Sequence, residues 1–194
     1  MRVIAGQYRR RLLRSMPGTE IRPTADRLRE TLFNVLCAGN PEALAGSVWI
    51  DLYAGTGAVG IEALSRGAKM VCFVESSKGA TDLIAANLKS LAIESGFRIV
   101  ASDAVKGLRQ LENSGVLADF FFLDPPYRKA EEYSRTLGVL AGSKLLRPSA
   151  LVIAEHEKKF DCGDAFGQLQ RYRTLAQGDA ALSFYRYGLA AQPA

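Results

Sequence analysis

Histidine is almost missing from this chain: His156 is the only one among 194 residues. Cysteine is scarce too, and Cys37, Cys72 and Cys162 stand far apart with no CxxC pair. Such spacing argues against a zinc site or a disulfide framework, so no metal is expected. The three thiols read as small core residues of a reducing compartment. No apolar run approaches the roughly 20 residues needed to cross a bilayer. The opening "MRVIAGQYRRRLL" lacks the apolar stretch of a secretory signal. A cytoplasmic protein without a membrane partner is therefore expected. Sequence repeats and low-complexity linkers are also missing, and the length suits one domain with a short appendage.

What is present is unevenly placed. Residues 1–30 hold eight arginines against Glu20, Asp26 and Glu30, an excess of five that equals the net charge of the whole chain, +5. Arginine offers a planar fork that matches phosphate, and a one-ended basic segment suggests a polyanion, with nucleic acid the first candidate. Arg9, Arg10 and Arg11 are assigned as a group to phosphate contact. Residues 1–24 read as a basic arm or hairpin, and residues 25–194 as the main domain. Thr24 can cap a helix running to about Ala38, with Leu28, Leu32, Val35 and Leu36 at helical spacing.

From Ser47 onward strands and helices alternate, ending in a hairpin around Gly178 and Asp179. Repeated βα units predict a parallel sheet with helices on both faces. Ligands of such sheets bind beyond the C-terminal ends of the strands. Five expected strands end near an acid: Asp51, Glu75, Asp103, Asp124 and Glu155.

Gly55, Gly57 and Gly60 in "DLYAGTGAVGIEAL" fit G-x-G-x-x-G at the first strand-to-helix turn. Glu75, twenty residues after Gly55, is placed to accept from ribose hydroxyls. Dinucleotide and nucleoside sites look alike up to here. Asp51 distinguishes them. A carboxylate pointing into the pocket would repel a pyrophosphate and favour a cationic ligand such as S-adenosylmethionine. Asp103 could then reach an adenine amino group.

"FFFLDPPYRK" (residues 120–129) runs four apolar residues into an acid and two prolines. Neither proline can donate to a sheet, so the strand stops at Asp124. An exocyclic amine is a poor nucleophile because its lone pair is delocalised. Asp124 and the Pro125 carbonyl can accept from its N–H groups, Pro126 stiffens the turn, and Tyr127 can stack the extruded base. Arg128 can meet a phosphate beside it.

"DLYAGTGAVG" followed by "DPPY" resembles class I S-adenosylmethionine-dependent methyltransferases that act on amino nitrogens. "RVIAGQYRRRLL", "RPTADRLRETLFNVL" and "GIEALSRGA" narrow the resemblance to the bacterial 16S rRNA guanine-N2 methyltransferase family (RsmD). It covers nearly the whole chain and is weakest from Phe160 onward. It implies a Rossmann-like α/β fold, with a seven-stranded, mostly parallel sheet whose last strand is antiparallel. The implied product is S-adenosylhomocysteine, and the implied partner is 16S rRNA or the assembling small ribosomal subunit, met by a monomer. Arg22, Pro23, Thr24 and Arg27 would close the cofactor pocket or meet RNA. The expected cofactor set is Thr24, Arg27, Asp51, Tyr53, Gly55, Thr56, Gly57, Glu75, Ser76, Asp103, Ala104 and Asp124.

Three rivals remain. The same site could serve adenine N6 or a protein glutamine. The glycine turn could belong to a NAD-dependent oxidoreductase, which leaves Asp51 and the two prolines unexplained. The scaffold could bind RNA without catalysis.

Overall fold

The structure is a computed structural model that describes residues 1–15, 23–126 and 128–188, with the backbone alone for residues 23–25. Arg22, Tyr127 and the side chain of Thr24 lie outside the described residues.

Helix α1 spans Pro23–Leu36, followed by β1 (Val48–Leu52), α2 (Ala58–Ser65), β2 (Met70–Glu75), α3 (Lys78–Ser90), β3 (Phe97–Ala101), α4 (Ala104–Asn113), β4 (Ala118–Leu123), α5 (Glu131–Ala141), β5 (Leu146–Glu157), β6 (Ala165–Phe166), β7 (Leu169–Gln177) and β8 (Ala180–Tyr187). One sheet holds the strands in the order β3-β2-β1-β4-β5-β8-β7-β6. Strands β1 to β5 pair in parallel, and β8 runs antiparallel beside β5. The expected α/β architecture is present. The sheet has eight strands because the two-residue β6 adds itself outside β7.

Alternation along the strands sorts the core into two layers. Trp49, Phe120 and Phe122 belong to the layer shared with Leu28 and Leu32 of α1, Ile61 of α2 and Ile84 of α3. Ile50, Leu52, Phe121 and Leu123 belong to the opposite layer, with Leu108 of α4 and Leu137 of α5. The parity that buries Trp49 puts Asp51 on the α2 side, because side chains two apart share a face.

The basic arm is folded against this core. Arg2 bridges Leu12, and the Val3 amide donates to the Arg11 carbonyl at 2.9 Å, making a short hairpin. Val3 and Leu13 are buried in the α1–α2–α3 layer. Glu62 on α2 is fully buried and accepts the amides of Ile4 at 2.7 Å and Ala5 at 3.0 Å. The Ser65 hydroxyl accepts the Tyr8 amide at 3.0 Å. A buried carboxylate that caps two backbone donors satisfies groups that neither partner could leave bare.

His156 is buried and structural. Its Nδ1 donates to the Glu157 carbonyl at 2.8 Å, and the Ser183 hydroxyl lies 2.9 Å from Nε2. Burial lowers its pKa and keeps the ring neutral. Cys72 and Cys162 are buried, and Cys37 is half-buried against the core. No described helix is long and apolar enough to cross a membrane.

Candidate active site

Order reverses in the sheet between β1 and β4, which is where open α/β sheets leave a crevice. A cavity of about 1160 Å³ opens there. Small-molecule sites commonly take about 300–1000 Å³, so this one has room for a nucleoside-sized cofactor. Tyr53 and Gly55 line it after β1, Glu75 and Ser76 after β2, Asp103 and Ala104 after β3, and Asp124, Pro125 and Pro126 after β4. Helix and strand ends thus deliver nine of the expected site residues to one space.

The glycine turn is shaped by backbone conformation. Gly55 and Gly57 have φ values of 55° and 75°, a region open to glycine and strained for other residues. Gly57 caps α2 and has no side chain to accept the free amides of its first turn. Asp51 supplies that acceptor from below: its Oδ2 takes the Gly60 amide at 2.9 Å. Gly60 itself must be glycine, since a Cβ there would sit 2.3 Å from Cε1 of Phe73.

Asp51 is therefore a correction. The sequence places its carboxylate in the pocket, whereas here it is 2% exposed beneath the turn and does not line the cavity. Burial pushes its carboxyl well above the usual carboxylate range, with the nearby Asp124 and Glu75 adding to the rise and the Gly60 amide opposing it. Thr56, Gly57 and Arg27 also lie off the cavity wall. The Thr56 hydroxyl faces the Met1 sulfur at 3.6 Å, and its carbonyl accepts from Asn87 at 3.0 Å. Arg27 is exposed on α1.

Glu75 bridges the turn and the next helix. Oε2 accepts the Gly55 amide at 2.9 Å, and Oε1 accepts the Ser77 amide at 2.8 Å. Asp103 caps α4 by accepting the Lys106 amide at 3.0 Å, and that bond lowers its pKa. It stays ionised and keeps lone pairs for a ligand donor. Tyr53, at a left-handed φ of 59°, braces the opposite wall: its hydroxyl donates to Glu132 at 3.0 Å and meets Thr136 at 2.8 Å.

Asp124 sits half-buried at the cavity wall, and desolvation raises its pKa to about 7. The Pro126 carbonyl accepts the Lys129 amide at 2.8 Å, which closes the turn and turns Lys129 toward the cavity. Arg128 is exposed beside it.

Several wall residues escaped the sequence reading. Lys158 and Lys159 follow β5, Asp179 comes from the β7–β8 turn, and Glu132 comes from α5. The Lys158 amide donates to the Asp179 carbonyl at 2.8 Å, which joins the two sides of that rim. Nothing local in these residues marks them. Of the arm arginines, Arg9, Arg10 and Arg11 are all exposed, and Arg11 also donates to the Ser90 carbonyl at 2.8 Å.

The residues present fit S-adenosylmethionine: a glycine turn open to close approach, and two carboxylates on the cavity wall, Glu75 and Asp103, that can accept hydrogen bonds from a nucleoside. Fold and site together define an S-adenosylmethionine-dependent methyltransferase. The chain belongs to the family described as conserved hypothetical protein 95, whose model matches residues 1–186. It is 36% identical over 161 residues to ribosomal RNA small subunit methyltransferase D of Haemophilus influenzae, covering 81% of this chain and 79% of that protein. It is 31% identical over 186 residues to the Escherichia coli K12 protein of the same name, covering 96% and 89%. The solved structure of yhhF from Escherichia coli matches with a TM-score of 0.80 at 32% identity, covering 96% and 97% of the two chains. The solved structure of SMU.776 with S-adenosylhomocysteine shares the fold, with a TM-score of 0.66 at 15% identity, covering 85% of this chain and 50% of that one.

Proposed function

We propose that this enzyme methylates the exocyclic N2 of a guanine in 16S rRNA of the small ribosomal subunit. One observation carries the reading: the Asp124–Pro126 rim and the carboxylates Glu75 and Asp103 line the same cavity. The relatives' names supply the rRNA substrate class, and the family resemblance supplies guanine N2.

When bound, S-adenosylmethionine supplies a methyl group on a positively charged sulfur. Glu75 and Asp103 hold the ribose and adenine ends. Asp124 and the Pro125 carbonyl accept from the two N–H groups of the guanine N2, which turns its lone pair toward the methyl carbon. The cofactor would supply the methyl carbon and take up the electron pair of its broken sulfur–carbon bond, while this chain's residues hold the amine in line. The nitrogen then loses a proton to Asp124 or water. Tyr127 stacks the splayed base, and Thr24, Arg27 and Arg22 close the pocket or meet RNA. Arg9, Arg10, Arg11 and Arg128 meet the RNA backbone. The protein acts in the cytoplasm as a monomer, on rRNA or on the assembling subunit.

The test is transfer of labelled methyl from S-adenosylmethionine to unmethylated small-subunit particles, naked rRNA, duplex DNA and protein extract in parallel, with D124A as control. N2-methylguanine in rRNA or particles, absent with D124A, establishes the reading. Label confined to DNA or protein overturns the rRNA assignment and leaves the amino-directed chemistry standing.

A further inference from the structure

Asn87 sits in α3 with no exposure at all, on the buried face that also carries Ile84 and Leu88. A primary amide in such a layer is costly unless its polar groups are paired. Here they are paired with two separate pieces of the molecule. Nδ2 donates to the Thr56 carbonyl at 3.0 Å and to the Arg14 carbonyl at 3.2 Å. Oδ1 accepts the Arg14 amide at 2.8 Å. The bonds to Arg14 pair donor with acceptor as a neighbouring strand would. The bond to Thr56 fixes the peptide between Gly55 and Gly57, where the turn has least conformational restraint of its own. Helix packing alone requires none of the three.

Arm and turn therefore meet in one side chain. We infer that Asn87 is a positioning residue through which RNA held by the basic arm and S-adenosylmethionine held by the glycine turn strengthen each other's binding. The inference rests on the proposed RNA contact of the arm. An RNA backbone that favours the docked arm favours the state in which Arg14 and Asn87 are engaged. That same state holds the Thr56 carbonyl and presents the turn ready-made. Linkage makes the effect reciprocal, so the cofactor also tightens RNA. Arg11 supports the docked state from the end of α3, where its donation to the Ser90 carbonyl places a cation at the negative end of the helix.

The test uses the full chain and an unmodified small-subunit rRNA transcript. S-adenosylhomocysteine affinity is measured by calorimetry with and without saturating RNA. Wild-type protein should bind about five-fold or more tightly with RNA present, the lower end of common couplings. Asn87→Ala removes all three bonds. Asn87→Asp keeps the acceptor for the Arg14 amide and loses both donors. Each should bring the factor close to one. A residue that only stabilises the fold would lower the melting temperature and both affinities yet leave their ratio unchanged. A wild-type factor of one overturns the inference, as does a wild-type factor retained in both variants. The doubly substituted Arg9→Ala, Arg10→Ala protein separates the causes. If it binds RNA as wild type does, the arm reading has failed and the coupling falls with it. If it loses RNA while the wild-type factor is one, the arm stands and only the coupling falls.

Discussion

Glu75 accepts the amide of Gly55 through Oε2 at 2.9 Å, across twenty residues of chain. The carboxylate proposed to take the ribose hydroxyls thus also holds the glycine turn. Glu75→Ala removes both services. A hydrogen bond to a charged group contributes about 1.5–3 kcal/mol, so S-adenosylhomocysteine affinity should fall about 10- to 100-fold by calorimetry. An unchanged affinity would remove Glu75 from the cofactor site.

Asp124 carries a pH signature. Its carboxyl is raised from 3.8 to about 7 by desolvation, so the folded protein binds this proton more tightly than the unfolded chain. The contribution to stability is present below about pH 4 and is lost as pH rises through 7. Asp124→Asn is neutral and of similar shape. Its melting temperature should exceed that of wild type by a margin that widens from pH 4 to 7 and then levels off. Thermal melts across that range check the sign, and a margin that narrows with pH would contradict it.

Activity should follow the same group in the opposite sense. An ionised Asp124 is the better acceptor for the amine, so kcat/KM should rise with pH through a midpoint above the usual carboxylate range. A bound sulfonium favours the ionised form, so the midpoint of kcat should lie lower. Asp124→Ala should abolish turnover and keep the far-ultraviolet circular dichroism of the wild type.

Gly60 is needed for packing. A methyl group there would lie 2.3 Å from Cε1 of Phe73 and 2.7 Å from Cγ1 of Val71. Overpacking of this kind costs about 1–3 kcal/mol. Gly60→Ala should lower the melting temperature by about 2–12 °C in a chain of this size. The α2 amide that Asp51 caps would shift with it, so cofactor affinity should drop in the same variant.

Glu62 holds the arm. Glu62→Ala strands the amides of Ile4 and Ala5 and leaves Arg66 without its partner at 2.8 Å. Removing one member of a buried charged network costs about 3–5 kcal/mol. Limited proteolysis should cut within residues 1–15 faster than in wild type. RNA affinity should fall, since the arginines would no longer be held in one geometry.

The architecture was legible in the chain because it is written in local terms. Apolar runs of strand length alternate with helical spacing from Ser47 onward, and each run is closed by glycine, proline or acid. The glycine turn and the Asp-Pro-Pro run announce themselves because glycine and proline alter backbone geometry wherever they stand. The strand-end acids were visible for the same reason: a strand that leaves the sheet at a known end delivers its last side chain to the crevice. The parity that turns Asp51 toward α2 was also legible, in the two-residue step from Trp49, although the sequence reading placed Asp51 in the pocket.

Tertiary structure alone decided which side chains became partners. Glu62 and Asn87 look like ordinary helix residues in the sequence, and their roles depend on an arm 57 to 73 residues away. Lys158 and Asp179 reach one rim only because β8 inserts between β5 and β7. Asp51 caps the first turn of α2 from beneath because Gly57, which its φ suits to the turn, brings no side chain to do so. Local conformation follows from what each residue permits its own backbone. Burial and pairing follow from which distant surfaces meet, and no residue carries that information by itself.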